Sequence, residues 1–406
     1  MSERQVFLVV GASLAGGRAV EALRQGGFDG RIVLVGGEPD RPYERPPLSK
    51  GVLMASAAPD SAYLQAPDFY TEQEIELRLG VRATALDPAA NTVALDDGSS
   101  LRYDKLLIAT GSELRRLSVP GAGLPGVRYL RTLADAQALA ADLVTARRVA
   151  VVGAGFIGLE VAASARTLGR EVTVLDPASV PLGRALGPEM GEIVADIHRQ
   201  HGVAFRFGAG VAELRGADRV EEIVTTTGER VPCDVAVIGV GVTPAVGWLA
   251  GSGIAIENGV LVDELTRTSL PNVFAAGDVA NAWNPVLGER VRLEHYDNAQ
   301  NQGIAAAGAM LGSTEAYAPV PSFWTDQYDL TLQYVGHARG DDQLLLRGDP
   351  AARSFTAFYL REGLVRAAFS NRPRAVVAAR RLIRNRKPLD PQVLTDEGID
   401  LRSVAK

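Results

Sequence analysis

The chain has one cysteine in 406 residues, Cys233. One cysteine excludes an internal disulfide and two-electron dithiol chemistry, which need a pair such as C-x-x-C. Cys233 precedes an apolar strand at 235–240 and reads as an inert, partly buried thiol. Histidine is scarce, with four in all. His198, His201, His295 and His337 show no metal-ligand spacing, so no metal is expected. His198 and His201, three apart on a helix, read as a solvated face. No apolar run reaches the ~18 residues of a membrane span. Residues 1–5 carry no basic segment followed by an apolar one, so a cytoplasmic chain is expected. Positive charge is in deficit: 42 Lys and Arg against 48 Asp and Glu leave a net −6, which argues against a general nucleic-acid binder.

Glycine is abundant, at 43, and this suits close approaches between backbone and ligand. The stretch 148–176 uses it most tellingly. Residues 149–152 form an apolar strand, and Gly153-Ala154-Gly155-Phe156-Ile157-Gly158 follows at once. A helix is expected over 159–168, closed by Gly169, then a strand over 172–175 that ends in Asp176. Strand, glycine turn, helix, strand and acid make the dinucleotide-binding fingerprint in its required context. Gly153 permits the tight turn, Gly155 lets a pyrophosphate approach the backbone, and Gly158 lets helix and strand pack. The helix N-terminus offers N–H groups to the phosphates. Asp176 can accept from a ribose 2′-hydroxyl and would repel a 2′-phosphate, which favours NADH over NADPH.

The chain opens on an imperfect copy of this unit. Residues 6–10 are a strand, Gly11-Ala12-Ser13-Leu14-Ala15-Gly16 the turn, 15–25 a helix, and 32–35 a second strand. Ser13 replaces the middle glycine, so its side chain must point away or donate its hydroxyl to a phosphate. The acid comes late, at Glu38, after Gly36 and Gly37. Two nucleotide folds in one chain suggest that one cofactor hands electrons to the other, most economically a flavin dinucleotide and a nicotinamide.

Between and beyond the two units, strands are expected over 81–86, 92–95, 100–103 and 105–109, and a helix over 133–145. A helix at 188–201 and strands at 203–207, 211–214 and 221–225 follow. The segment 233–241 repeats the pattern of 103–111, and each leads into a domain crossing. The second nucleotide fold is therefore inserted in the first. Strands at 259–262 and 272–276 resume the first fold, the latter ending in Gly277-Asp278 at a strand's carboxyl end, where α/β sheets bind ligands. A helix is expected over 294–311. From Pro321 the pattern becomes an antiparallel sheet, with strands near 323–324, 330–334, 343–347 and 354–360, closed by a helix at 376–385. The fold class is α/β: two Rossmann-like domains, one inserted in the other, plus a C-terminal α+β domain. The expected boundaries are 1–114 with 244–321, 115–243, and 322–406. Arg372, Arg374, Arg380, Arg381, Arg384, Arg386 and Lys387 form a run without acids that either steers an acidic partner or is a solvated face.

The chain resembles, along essentially its whole length, the FAD-dependent, NADH-using ferredoxin reductases of bacterial oxygenase systems, within the pyridine-nucleotide-disulfide oxidoreductase fold. The most specific stretch is residues 42–50, Pro-Tyr-Glu-Arg-Pro-Pro-Leu-Ser-Lys. Residues 109–111, 155–160, 277–278 and 322–327 carry the rest. The resemblance implies FAD held by Gly11, Ser13, Ala15, Gly16 and Glu38, with Arg45, Lys50, Ala83, Thr110, Gly111 and Arg131 lining the flavin. Asp278 would bind the ribityl chain, and Tyr296 would lie near the ring through its backbone. It implies NADH on Gly153, Gly155, Phe156, Ile157, Gly158 and Asp176, with Glu160 and Glu294 receiving the carboxamide and Trp324 packing nearby. Lys50 and Glu160 would pair beside the flavin N5 and act as the catalytic residues. Ser13 and Gly37 depart from the family pattern, and Gly37 stands where relatives carry a ribose-binding acid. The implied partner is a small acidic [2Fe-2S] ferredoxin, with no nucleic acid or membrane and a monomer or homodimer as the assembly. The rival readings are an NADH oxidase, a redox-sensing flavoprotein resembling apoptosis-inducing factor, and a rubredoxin reductase.

Overall fold

The computed structural model describes residues 4–405; residues 1–3, on which part of the N-terminal reading rests, lie outside them. The chain divides into two units. The first comprises Met1–Glu44, Ala62–Glu113 and Val242–Pro321, and the second Arg45–Ser61, Leu114–Gly241 and Ser322–Lys406.

The first unit is built on a five-stranded parallel sheet. Its order is Val273–Ala275, Lys105–Ile108, Val6–Val10, Arg31–Gly36, Ile75–Leu79. Strand side chains alternate between faces, and here both faces are buried, so the strands read as continuous apolar runs. Phe7, Val9, Ile32 and Leu34 pack with residues of the helices Leu14–Gln25 and Tyr296–Met310. Leu8, Val10, Val33 and Val35 face Leu86, Val93 and Leu95 of the antiparallel strands Ala83–Asp87 and Thr92–Leu95.

The second unit repeats this plan. Its parallel sheet runs Val203–Phe207, Glu171–Asp176, Arg148–Val152, Val235–Ile238, Val127–Tyr129. Val149 and Val151 face residues of the helices Leu133–Thr145 and Phe156–Thr167, while Ala150 and Val152 face Leu214, Ile223 and Val231 of a three-stranded antiparallel sheet. The same core takes in Tyr334, Phe355, Tyr359 and Phe369 from a second, fully antiparallel five-stranded sheet. The order of that sheet is Ser322–Gln327, Leu330–Gly336, Leu364–Ser370, Ser354–Arg361, Gln343–Asp349, and the helix Pro373–Asn385 follows it.

The structure differs from the sequence reading in several places. The helix expected from residue 159 starts at Phe156, because Gly155 is itself the extended N-cap, at φ −80° and ψ 179°. The helix expected from residue 188 is preceded by a turn from Gly183, and Gly187 at φ 79° breaks the two apart. The strands Ile75–Leu79, Val127–Tyr129, Arg230–Pro232, Ala280–Asn284, Glu289–Arg292 and Leu364–Ser370 have no counterpart in that reading. Leu364–Ser370 is the middle strand of its sheet. Its small Ala367 and Ala368 give little hydrophobic contrast to read.

Candidate functional site

The second unit places its glycine turn at the carboxyl end of Arg148–Val152. Gly153 sits at φ 105°, and a Cβ added there would lie 2.2 Å from the Gly239 carbonyl oxygen. At Gly158 an added Cβ would come within 2.0 Å of the Gly153 oxygen. Backbone packing therefore dictates both glycines. Gly155 differs: an added Cβ there meets no atom within 4 Å. That position faces open space at the N-terminus of a 12-residue helix. Room, N–H groups and dipole together fit a dinucleotide's phosphates. Asp176 folds back onto the turn: Oδ2 accepts the Ala154 N–H at 2.7 Å and Oδ1 the Ala178 N–H at 2.8 Å. A carboxylate has about four acceptor positions, so others remain for ribose hydroxyls. Ile157 is half exposed beside the turn, and Phe156 meets Phe323 edge to face at 4.8 Å.

One turn into the same helix, Glu160 is 4% exposed. An unpaired carboxylate at that depth would be costly, and three donors satisfy it. Lys50 Nζ (2.7 Å) and Ser49 Oγ (2.5 Å) donate to Oε2, and Thr325 Oγ1 donates to Oε1 at 2.7 Å. Pro46 and Pro47 open a short 3-10 helix, Pro46–Ser49, that delivers Ser49 and Lys50. Ser164, one turn beyond Glu160, donates to the Ser49 carbonyl at 2.7 Å and anchors the segment. Thr325 and Gln327 are buried in Ser322–Gln327, whereas the alternate residues Trp324 and Asp326 are half-buried and joined at 3.1 Å through the indole N–H. Arg45 donates to the Arg131 carbonyl. The Arg131 N–H is held by Asp135, which also completes a capping box with Thr132.

The first unit carries the remaining expected residues. Gly11, at φ 120°, would put a Cβ 2.0 Å from the Ala109 oxygen, and Gly16 one 1.9 Å from the Gly11 oxygen. Ser13 is the N-cap of Leu14–Gln25, yet its hydroxyl makes no capping bond. A hydroxyl uncommitted to its own helix fits a phosphate donor. Ala15 is buried against the Tyr296–Met310 helix, where a Cβ on Gly303 would lie 2.3 Å from the Ala15 oxygen. Its visible role is close helix packing. Gly37 is overlain by Arg82, whose Cγ would be 2.9 Å from an added Cβ. Glu38 accepts from the Tyr43 hydroxyl. Thr110 donates to the Ala245 carbonyl at 2.9 Å, and Gly111 turns at φ 67°. Asp278 accepts from Ser112 at 3.4 Å, Ala83 begins a strand, and Glu294 pairs with Arg292 at 2.7 Å. Tyr296 is the first residue of its helix; its hydroxyl donates to Glu44 at 2.6 Å, and burial with that carboxylate pushes the phenol up to about 12.

The histidine reading is corrected. His198 is fully buried, and burial pulls it down to about 4. Its ring bonds to Gln327 at 2.9 Å and to the Tyr328 hydroxyl at 2.8 Å. His201 stacks on Tyr328 with centroids 3.6 Å apart. Cys233 is not partly but fully buried, and burial pushes its thiol up to about 12. Arg372 leaves the basic run, since it pairs with Glu397 and donates to the Ser354 carbonyl. Among the described residues no group of His, Cys, Asp or Glu is arranged for a metal, and no helix is long and apolar enough to cross a membrane. Ser49, Ser164, Thr325, Gln327, His198 and Tyr328 belong to the site without having been foreseen. The alternation of Ser322–Gln327 was the one available signal for Thr325 and Gln327.

Residues 6–303 match the family described as pyridine nucleotide-disulphide oxidoreductase, and residues 322–405 match the reductase C-terminal family. The chain belongs to the pyridine nucleotide-disulphide oxidoreductase family. It is 43% identical to the ferredoxin–NAD(+) reductase component of the anthranilate 1,2-dioxygenase system of Burkholderia cepacia, over 98% of both chains. It is 34% identical to putidaredoxin reductase of Pseudomonas putida, over 100% of this chain and 97% of that one. Among solved structures, the ferredoxin reductase for the CYP199A2 system of Rhodopseudomonas palustris superposes with TM-score 0.95 at 37% identity, covering 99% of this chain and 100% of the other. The covalent putidaredoxin reductase–putidaredoxin complex gives 0.95 at 35%, covering 98% of each.

Proposed function

We propose that this chain is an NADH-dependent ferredoxin reductase, a flavoprotein passing electrons from NADH through FAD to a small iron–sulfur carrier that feeds an oxygenase. The observation that carries this reading is a pair of nucleotide turns in a chain whose single cysteine is fully buried. A thiol held near 12 has essentially no thiolate at neutral pH, so it serves neither as a sulfenate nor as an internal electron acceptor. Electrons therefore leave to an acceptor outside the chain, and the ferredoxin reductases to which the chain is similar support an iron–sulfur carrier as that acceptor. In this reading residues 1–114 and 244–321 hold FAD, 115–243 hold NADH, and 322–406 form the C-terminal domain.

FAD, when bound, accepts a hydride from NADH and gives up electrons one at a time. The chain's own residues prepare that exchange. Gly11 and Gly16 shape the FAD turn, and the Ser13 hydroxyl donates to its phosphate; Thr110, Gly111, Asp278 and the N-terminus at Tyr296 line the rest. Gly155 admits the pyrophosphate of NADH, and Asp176 takes its ribose. Glu160 keeps an acceptor position on Oε1 for the nicotinamide carboxamide, because Lys50 and Ser49 occupy Oε2. Lys50 supplies a fixed positive charge, of the kind that stabilises developing negative charge when preorganised. Trp324 packs beside the nicotinamide within the second unit.

The carrier is an acidic [2Fe-2S] ferredoxin. Arg374, Arg380, Arg381, Arg384, Arg386 and Lys387 lie exposed on and just after Pro373–Asn385, a basic face that attracts such a partner. Reversing Arg380, Arg381 and Arg384 to Glu is expected to slow ferredoxin reduction about tenfold at low salt, converging with the parent at high salt. An unchanged rate would make the segment a solvated face only. The reading as a whole is tested by anaerobic NADH titration. About one equivalent should bleach the flavin bands, whereas a colourless protein or an unreactive flavin would overturn it.

A further inference from the structure

Glu160 ends a chain of buried side chains within the second unit. Glu160, Thr325, Gln327 and His198 are each 4% exposed or less. Thr325 Oγ1 lies 2.7 Å from Glu160 Oε1, Gln327 Nε2 3.2 Å from Thr325 Oγ1, His198 Nε2 2.9 Å from Gln327 Oε1, and the Tyr328 hydroxyl 2.8 Å from His198 Nδ1.

The donors can be assigned from one end. A carboxylate only accepts, so Thr325 donates its single hydroxyl hydrogen to Glu160. Thr325 must then accept from the Gln327 amide nitrogen. That leaves the Gln327 oxygen facing His198, which must donate from Nε2. A neutral imidazole has one N–H, so Nδ1 is bare and accepts from Tyr328. Every donor points toward Glu160, and reversing any link would set two donors or two acceptors against each other. Buried polar chains of this kind are rigid when fully satisfied and costly when half satisfied.

We propose that His198 and Tyr328 are positioning residues for the Glu160 carboxylate: they close a one-way hydrogen-bond chain that holds the Thr325 hydroxyl on Oε1 and leaves one defined acceptor position there for the nicotinamide carboxamide. This rests on the reading of Glu160 as a nicotinamide ligand. Without the Nε2 donor the Gln327 amide is free to turn over. It then presents its oxygen to Thr325, and the hydroxyl loses its reason to stay on Glu160.

His198→Leu, His198→Gln, Tyr328→Phe and Glu160→Gln separate the possibilities. In anaerobic stopped flow, His198→Leu should lower the limiting rate of flavin reduction by NADH about tenfold, the size expected of a small misplacement. Apparent NADH affinity should change less, and FAD content should stay full. His198→Gln, whose amide can still donate to Gln327, should recover most of the rate; a purely structural effect would not divide the two variants this way. Nitrogen-15 NMR of histidine-labelled protein reads the chain without turnover. His198 should appear as the neutral Nε2–H tautomer in the parent and as a mixture in Tyr328→Phe. A parent Nδ1–H tautomer overturns the chain even where His198→Leu does not fold. A parent-like rate in His198→Leu beside a slow Glu160→Gln overturns it alone; a parent-like rate in Glu160→Gln overturns the Glu160 assignment beneath it.

Discussion

The two glycine turns, 11–16 and 153–158, sit on five-stranded parallel sheets that share the order of four strands and take the fifth from opposite sides of the turn in sequence, Val273–Ala275 after one and Val127–Tyr129 before the other, and they differ where it matters for ligands. In both, the outer glycines are fixed by backbone. Gly11 and Gly153 press on the carbonyls of Ala109 and Gly239, and Gly16 and Gly158 press on Gly11 and Gly153 themselves. The turns diverge at the middle position, open Gly155 against capping Ser13, and at the end of the next strand. There Asp176 is tied back to its turn, whereas Gly37 lies under Arg82. Two of the three glycines in such a fingerprint therefore report the fold, and only the middle position and the acid report the ligand.

The sharpest way to break that distinction is to substitute within one turn. Gly153→Ala adds both a left-handed strain and an overlap with a carbonyl, and should destabilise the protein by roughly 3 kcal/mol or more. Gly155→Ala should leave the melting temperature nearly unchanged while weakening NADH binding about tenfold through lost backbone approach. Thermal melts beside NADH titrations check both. Equal effects of the two changes would erase the division between fold and ligand positions.

Acid should separate the units next. His198 lies in the second unit and titrates near 4. An unfolded histidine takes its proton near 6.5, so between those values the unfolded chain binds a proton that the native chain refuses. Stability therefore falls as pH drops through that window, by on the order of 3 kcal/mol from this group. Denaturant midpoints from pH 7 to 4 should show that loss in the parent and a smaller one in His198→Gln. Identical slopes would mean His198 is protonated in the native state.

A smaller effect is expected at Asp176. Asp176→Asn keeps an acceptor oxygen for the turn but removes the charge that opposes a 2′-phosphate, so the NADH-over-NADPH preference should fall about tenfold. Unchanged discrimination would leave Asp176 as a turn-fastening residue only. The smallest effect is expected from Ser13→Gly, which restores the glycine and removes one neutral donor: FAD retention in dilution should change by no more than about 1 kcal/mol.

The sequence made the turns legible because their parts are contiguous. Strand, glycines, helix and acid lie within one short stretch of chain, 6–38 in one unit and 148–176 in the other, and each has a local reason. Glu160 and Lys50 were legible only through resemblance, since they are 110 residues apart. Thr325, 165 residues from Glu160, was legible only as a position in the stretch 322–327 and not in its role, because no local pattern marks a threonine as the donor to a distant carboxylate. His198 was misread for the converse reason: two polar residues three apart on a helix signal a wet face unless something covers them, and the covering Gln327 and Tyr328 come from a sheet much later in the chain. Ile75–Leu79 alternates properly, yet it follows a polar stretch, and its place at the sheet edge is set by pairing with Arg31–Gly36 and by burial of Ile75 in a core drawn from distant parts of the chain.

The measurement that most directly tests the central claim is anaerobic electron counting, with NADH added to the purified protein and an excess of an acidic [2Fe-2S] ferredoxin. Each NADH oxidised should reduce about two ferredoxins, one electron each, with the buried cysteine unmodified throughout. A flavin that NADH bleaches while the ferredoxin stays oxidised would contradict it, and would make the chain an oxidase or a sensor on the same fold.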